Sequence, residues 1–201
     1  GKNDLGYITL TQATAYSSNT VFAQLGVEMG ARMLVAGAER FGFNTSLDFD
    51  LPLAESVMGD PASMTEWETA WAAVGQPVNS YNDNRQIGPF TTVLEMAMVG
   101  CGIANDGTIM HPYLVEGIFN GNGQRSFTAS HNPFIQACSA RTAQRVSGMM
   151  SYNVVSHYGR ESFPALNIAA KTGTAELGDG STHAWFVGYL RSGAPLAFAV
   201  L

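Results

Sequence analysis

The sequence predicts an α+β fold with helices packed on an antiparallel sheet, and two observations lead there. Up to about residue 158, apolar residues recur mainly at three- and four-residue spacing, the period of amphipathic helices. The last part of the chain changes to β-rich runs separated by short turns. Helices followed by a sequential meander of strands fit a helical layer covering one sheet.

Residues 9–41 read as helix, broken at Ser17-Ser18-Asn19. Ser and Asn there can accept hydrogen bonds from the free N–H groups that open the next helix, so Ser18 or Asn19 is a candidate N-cap as well as a candidate site residue. Residues 42–61 carry Gly, Asn, Asp and Pro punctuation and read as irregular, with a helix following over 65–74. Residues 77–89 (PVNSYNDNRQIGP) are expected to form a long exposed loop of the kind that borders a site. Helix returns over 91–105 and stops at Asn105-Asp106-Gly107, a sequence suited to positive φ. A short strand is expected over 113–119.

Residues 139–158 form one more predicted amphipathic helix, with Val146, Met149, Met150, Val154 and Val155 on its apolar face and Gly159 ending it. Residues 167–176, 182–190 and 194–201 are the predicted strands of the meander, joined by turns at GDGS and RSGAP. No internal repeat or low-complexity tract divides the chain, so one domain is expected.

Composition narrows the function. With 46% apolar and 13% charged residues, the 201-residue chain can bury a substantial core. A formal charge of −6 with only 10 Lys and Arg argues against nucleic acid as a partner, because binding it requires clustered cations. No run of about 18 apolar residues occurs, so no membrane contact is expected from these residues themselves. Cys101 and Cys138 lack CxxC spacing; two buried free thiols are the expected reading, with a disulfide as the alternative. The histidines His111, His131, His157 and His183 show no ligand spacing, and neither a metal nor another cofactor is expected.

The chemistry concentrates at KTGTAE, residues 171–176, followed by HAWFVGY at 183–189, with SSN far upstream at 17–19. A given tripeptide such as KTG arises by chance in roughly one chain in twenty of this length, so its context decides. Here the lysine sits in a predicted strand, Gly173 allows close backbone approach by a ligand, and an aromatic strand follows across a short turn. Trp185 in that second strand is expected to be core packing.

These motifs resemble two of the three signatures of penicillin-binding transpeptidases and serine β-lactamases, SxN and KTG, which accompany a nucleophile motif SxxK. ATAYSSNTVFAQLG is similar to the segment carrying SxN in class B penicillin-binding proteins. AVGQ at 73–76 resembles their IGQ, and EMAMVGCGIANDGTIMHPYLV at 95–115 resembles their helix and following turn. The likeness is closest to actinobacterial-type class B enzymes. The chain departs from the pattern in the insertion beginning at Pro77 and in Thr92-Val93 at the usual Thr-Pro helix start. SxxK is also missing: Lys2 and Lys171 are the only lysines, and Ile168 stands three places before Lys171. The 201 residues are therefore expected to be part of a transpeptidase domain, from SxN to the strand after KTG, without the nucleophile segment or a closing helix.

The resemblance implies a serine β-lactamase/transpeptidase-like fold and acyl transfer from D-Ala-D-Ala peptides, with peptidoglycan stem peptides and β-lactam antibiotics as ligands. Ser17 would relay a proton, Asn19 would hold the nucleophile motif's lysine or the substrate amide, and Lys171 would order Ser17 and attract the terminal carboxylate. Thr172 and Thr174 would hydrogen-bond that carboxylate, the Thr174 N–H would serve the oxyanion, and Gly173 would leave room for the substrate backbone. The parent protein is expected at the extracytoplasmic face of the bacterial membrane, anchored by a segment outside these residues, with other cell-wall synthesis proteins as further partners. The residues alone are expected to be inactive. Alternative readings are a serine β-lactamase and a β-lactam-binding sensor or non-catalytic structural domain.

Overall fold

The computed structural model describes residues 5–77, 88–163, 167–177 and 180–201. The first helix, α1 (Leu10–Ala15), opens on a capping box in which Thr9 Oγ1 accepts from the Gln12 N–H at 3.2 Å and Gln12 Oε1 accepts from the Thr9 N–H at 2.9 Å. A turn at Ser17 separates it from α2 (Asn19–Met29). Ser18 occupies the N-cap position, but neither expected cap acts as one: Asn19 is already helical and the Ser18 side chain makes no capping bond. The backbone explains this, since ψ is 97° at Ser18 against 160° and 167° at the caps Thr9 and Thr65, which aim their hydroxyls at the N3 amide. A second break, absent from the periodicity, falls at Gly30 (φ 77°) and starts α3 (Ala31–Glu39).

Thr65 and Glu68 form another capping box ahead of α4 (Glu66–Ala73). Helices α2 and α4 meet closely at Gly26, where a Cβ would fall 2.2 Å from Ala73 Cβ. That contact fixes the end of α4 from which Gln76 emerges. Helix α5 (Val93–Ala104) starts at Thr92 and gives way to a turn with positive φ at Asp106 and Gly107, as its residues predict. Residues 78–87, most of the expected long loop, lie outside the described residues.

Two small antiparallel pairs follow: β1 (Thr108–Met110) with β4 (Pro133–Gln136), and β2 (Gly117–Phe119) with β3 (Arg125–Thr128). Only the last three residues of the strand expected over 113–119 are extended in a ladder. The N–H groups of Leu114 and Val115 are instead held by Asp50 Oδ2, at 2.6 and 3.1 Å. Strands β1, β3 and β4, at three or four residues each, are too short to show a period.

Helix α6 (Ala140–Asn153) is capped by Ser139 and continues into a π-helical turn, Val154–Tyr158, ended by Gly159 at φ 80°. The wider turn rotates Val155 off the apolar face, leaving it 45% exposed. The meander has the predicted order, β5 (Ile168–Glu176), β6 (Thr182–Leu190) and β7 (Ala197–Val200), so β5 keeps one open edge. Helix α5 packs on β6 and β7, α6 packs on β5, and α1 packs on α6. Ile103, Ala169 and Tyr189 are buried on one side of the sheet with Val146 and Met150 against them, while Ile168, Ala170 and Val154 are buried on the other with Phe186 and Phe198.

Three side chains depart from expectation. Cys101 and Cys138 are both free thiols, but Cys101 is exposed and Cys138 only half-buried. Trp185 is half-buried and joins none of the four core clusters. It pairs with Gly173 across the ladder, which offers no side chain to cover it.

Candidate active site

Because α1 rests on α6 and α6 rests on β5, the turn after α1 reaches the middle of the first meander strand. There the Lys171 ammonium donates to Ser17 Oγ at 2.7 Å and to the Thr172 carbonyl at 2.7 Å, joining residues 154 positions apart. Burial lowers the Lys171 pKa below its ordinary value, with attraction to Tyr158 working in the opposite direction. An ammonium can only donate. Ser17 therefore accepts, and its own hydroxyl proton is left for another partner. Ser17 is exposed and holds φ 52°, a left-handed conformation that costs a non-glycine residue about 1 kcal/mol or more.

The open edge of β5 is occupied by side chains in place of a neighbouring strand. Asn153 Nδ2 donates to the Ala170 carbonyl at 2.8 Å, and the Thr172 N–H donates to Tyr158 Oη at 3.2 Å. Farther along, Gln76 donates through Nε2 to the Thr174 carbonyl at 2.8 Å and accepts the Glu176 N–H through Oε1 at 2.9 Å. One amide thus completes two rungs of a ladder. The Thr174 N–H lies on the same edge, and among the described residues no side chain takes it. Thr172, Gly173 and Thr174 are all exposed, and a Cβ on Gly173 would meet only Trp185 Cβ, at an ordinary 3.6 Å. The fold itself does not require glycine at 173.

Of the residues singled out from the sequence, Ser17 and Lys171 are in direct contact, and Thr172, Gly173 and Thr174 run along the adjoining edge. Asn19 is exposed, its side chain makes no hydrogen bond among the described residues, and it borders a cavity with Thr20, Ala23, Ala70, Trp71 and Val74 between α2 and α4. Three contributors escaped sequence reasoning. Gln76 lies in the AVGQ segment but has no signal of its own as a strand partner. Asn153 is a polar residue on the apolar stripe of α6, seven positions after Val146, and that misfit was readable. Tyr158 resembles any aromatic residue before a helix stop. Among the described residues, no group of three or more His, Cys, Asp or Glu side chains could hold a metal ion, and no helix is long and apolar enough to cross a membrane.

Residues 2–201 match the family model of the penicillin binding protein transpeptidase domain. The peptidoglycan D,D-transpeptidase PbpA of Mycolicibacterium smegmatis is 31% identical over 96% of this chain and 38% of its own length. Among solved structures, the D,D-transpeptidase domain of a peptidoglycan glycosyltransferase from Eggerthella lenta superposes with a TM-score of 0.89 at 48% identity, over 98% of this chain and 49% of that one. The ceftriaxone acyl-enzyme complex of penicillin-binding protein A from Mycobacterium tuberculosis gives a TM-score of 0.83 at 28% identity, over 98% and 43%. The chain thus spans less than half the length of each of these relatives. By its motifs, its fold and these matches, the chain belongs to the class B penicillin-binding protein transpeptidase family.

Proposed function

We propose that these residues form the SxN-to-KTG part of a D,D-transpeptidase that cross-links peptidoglycan stem peptides by serine acyl transfer, with the nucleophile supplied by a segment outside them. The observation that carries this reading is the 2.7 Å contact between Lys171 and Ser17. A proton relay between an incoming serine and a leaving amine needs a hydroxyl whose oxygen is held by a fixed donor and whose proton is free to move. Ser17 has that arrangement.

The other parts follow from the β5 edge. The Thr174 N–H is oriented as one donor of an oxyanion hole, the second being the amide of the missing nucleophile; losing one such donor typically costs about 3 kcal/mol of transition-state stabilisation. Lys171, with the hydroxyls of Thr172 and Thr174, provides a cationic, donor-rich place for the terminal carboxylate. Gly173, at a position where the fold would tolerate a side chain, carries none and leaves room for the substrate backbone to approach the strand. Asn19 acts from the α2 side, on the nucleophile motif or on the substrate amide. β-Lactams enter as acylating analogues of the same peptide, as the acyl-enzyme complexes of M. tuberculosis penicillin-binding protein A illustrate for that relative. The parent acts at the extracytoplasmic face of the membrane, where its substrate lies.

The test is intact-mass analysis after incubation with benzylpenicillin. The full-length gene product should gain one long-lived adduct, whereas residues 1–201 alone should gain none. An adduct on residues 1–201 that Ser17→Ala removes would make Ser17 the nucleophile and overturn the relay. Rapid loss of the adduct by hydrolysis from the full-length protein would favour a β-lactamase.

A further inference from the structure

We propose that Tyr158 is a positioning residue that fixes the direction of the Thr172 hydroxyl, turning its proton outward to the carboxylate of the bound ligand. The inference rests on the reading of Thr172 as a carboxylate contact.

Three groups converge on the Tyr158 oxygen. Thr172 Oγ1 lies 2.8 Å away, the Thr172 N–H donates to it at 3.2 Å, and Asn153 Nδ2 donates at 3.4 Å. The orientation of the Asn153 amide is settled independently. Asn153 is 1% exposed and its Nδ2 sits 2.8 Å from the Ala170 carbonyl, a group that can only accept, so the nitrogen must be on that side. A phenol offers two lone pairs and one proton. With two N–H donors on the lone pairs, a third donation from the threonine hydroxyl would find no acceptor. The Tyr158 proton therefore goes to Thr172 Oγ1, and the Thr172 proton is turned away from Tyr158, at an exposed position on the open edge of β5.

A threonine hydroxyl on an exposed strand would otherwise rotate among its staggered positions, so a ligand would have to select one. Here the choice is made before the ligand arrives, and the ring that makes it is itself fixed. Tyr158 meets Phe186 edge-on at 6.1 Å and Phe163 at 6.5 Å, and the π-helical turn at the end of α6 delivers it to the strand. Such turns recur at functional sites because they shift a side chain out of helical register.

The experiment uses the full-length gene product and compares the second-order acylation rate by benzylpenicillin with that by its methyl ester, which lacks the carboxylate anion. Tyr158→Phe keeps the ring and removes only the hydroxyl. It should slow acylation by the acid about tenfold and leave the ester within about twofold, so the acid-to-ester preference collapses. Thr172→Val should collapse the same preference. Equal slowing of both compounds by Tyr158→Phe, as a general packing defect would give, or no slowing of either, overturns the inference. A wild-type preference that survives Thr172→Val overturns the carboxylate reading beneath it, and the role of Tyr158 falls with it.

Discussion

Lys171, half-buried, and Glu95, almost fully buried, are ionisable side chains that the fold treats in opposite ways. Burial pushes each toward its neutral form, lowering the lysine pKa and raising that of the glutamate to about 7. Lys171 is given two acceptors at 2.7 Å, one of them brought in from 154 residues away. Glu95, in the first turn of α5, is 5% exposed, and its Oε1 has no hydrogen-bond partner. Gly42 leaves the room it needs, since a Cβ there would fall 2.5 Å from that oxygen. A half-buried charge with convergent partners from distant elements fits the chemistry proposed for Lys171. A buried one left without them is a burden on stability, and substitutions at the two positions should separate accordingly.

The largest effect should come from Lys171→Ala in the full-length protein. It removes the cation from the Ser17 hydroxyl and from the proposed carboxylate site, and β-lactam acylation should slow by about 100-fold or more. Thermal stability should hardly move, because no buried partner is left charged. Acylation within a few-fold of wild type would place Lys171 outside the site.

Glu95→Gln should show the reverse pattern. An acid whose folded pKa is raised favours folding only while protonated, so its contribution is intact below about pH 4.5 and is lost as pH rises toward about 7. The glutamine variant should therefore match wild type in acid and exceed it by as much as about 3 kcal/mol at about pH 8, with little change in acylation. Equal stability of the two proteins at about pH 8 in denaturant titrations would show that the carboxylate finds a partner or water.

A smaller effect distinguishes strain from chemistry at Ser17. Its left-handed backbone suits glycine, so Ser17→Gly should leave stability unchanged or raise it by up to about 1 kcal/mol while acylation falls. A loss of stability together with activity would make Ser17 a structural residue.

The same contrast explains what the sequence disclosed. The meander was legible because its strands, four to nine residues long, are β-rich runs set apart by glycine-containing turns. The helices α4, α5 and α6 were legible as runs between turn-forming segments, and the structure adds the caps Thr65, Thr92 and Ser139 at their starts. Ser17 and Lys171 were found through motifs. The support around them was not, because Gln76, Asn153 and Tyr158 act by reaching backbone groups 14 to 100 positions away, and no local period records such contacts. Asn19 shows the reverse limit. Its motif named it, yet among the described residues its side chain makes no hydrogen bond, and the fold shows it only as bordering a cavity between α2 and α4.

Whether Ser17 and Lys171 act as one unit can be read from a double-mutant cycle on β-lactam acylation by the full-length protein. If the 2.7 Å contact carries the proton relay, Ser17→Ala and Lys171→Ala should each cost about 100-fold, and the double variant should be little worse than either alone. Multiplicative losses, near 10,000-fold in the double variant, would mean that the two residues contribute independently and would contradict the shared site.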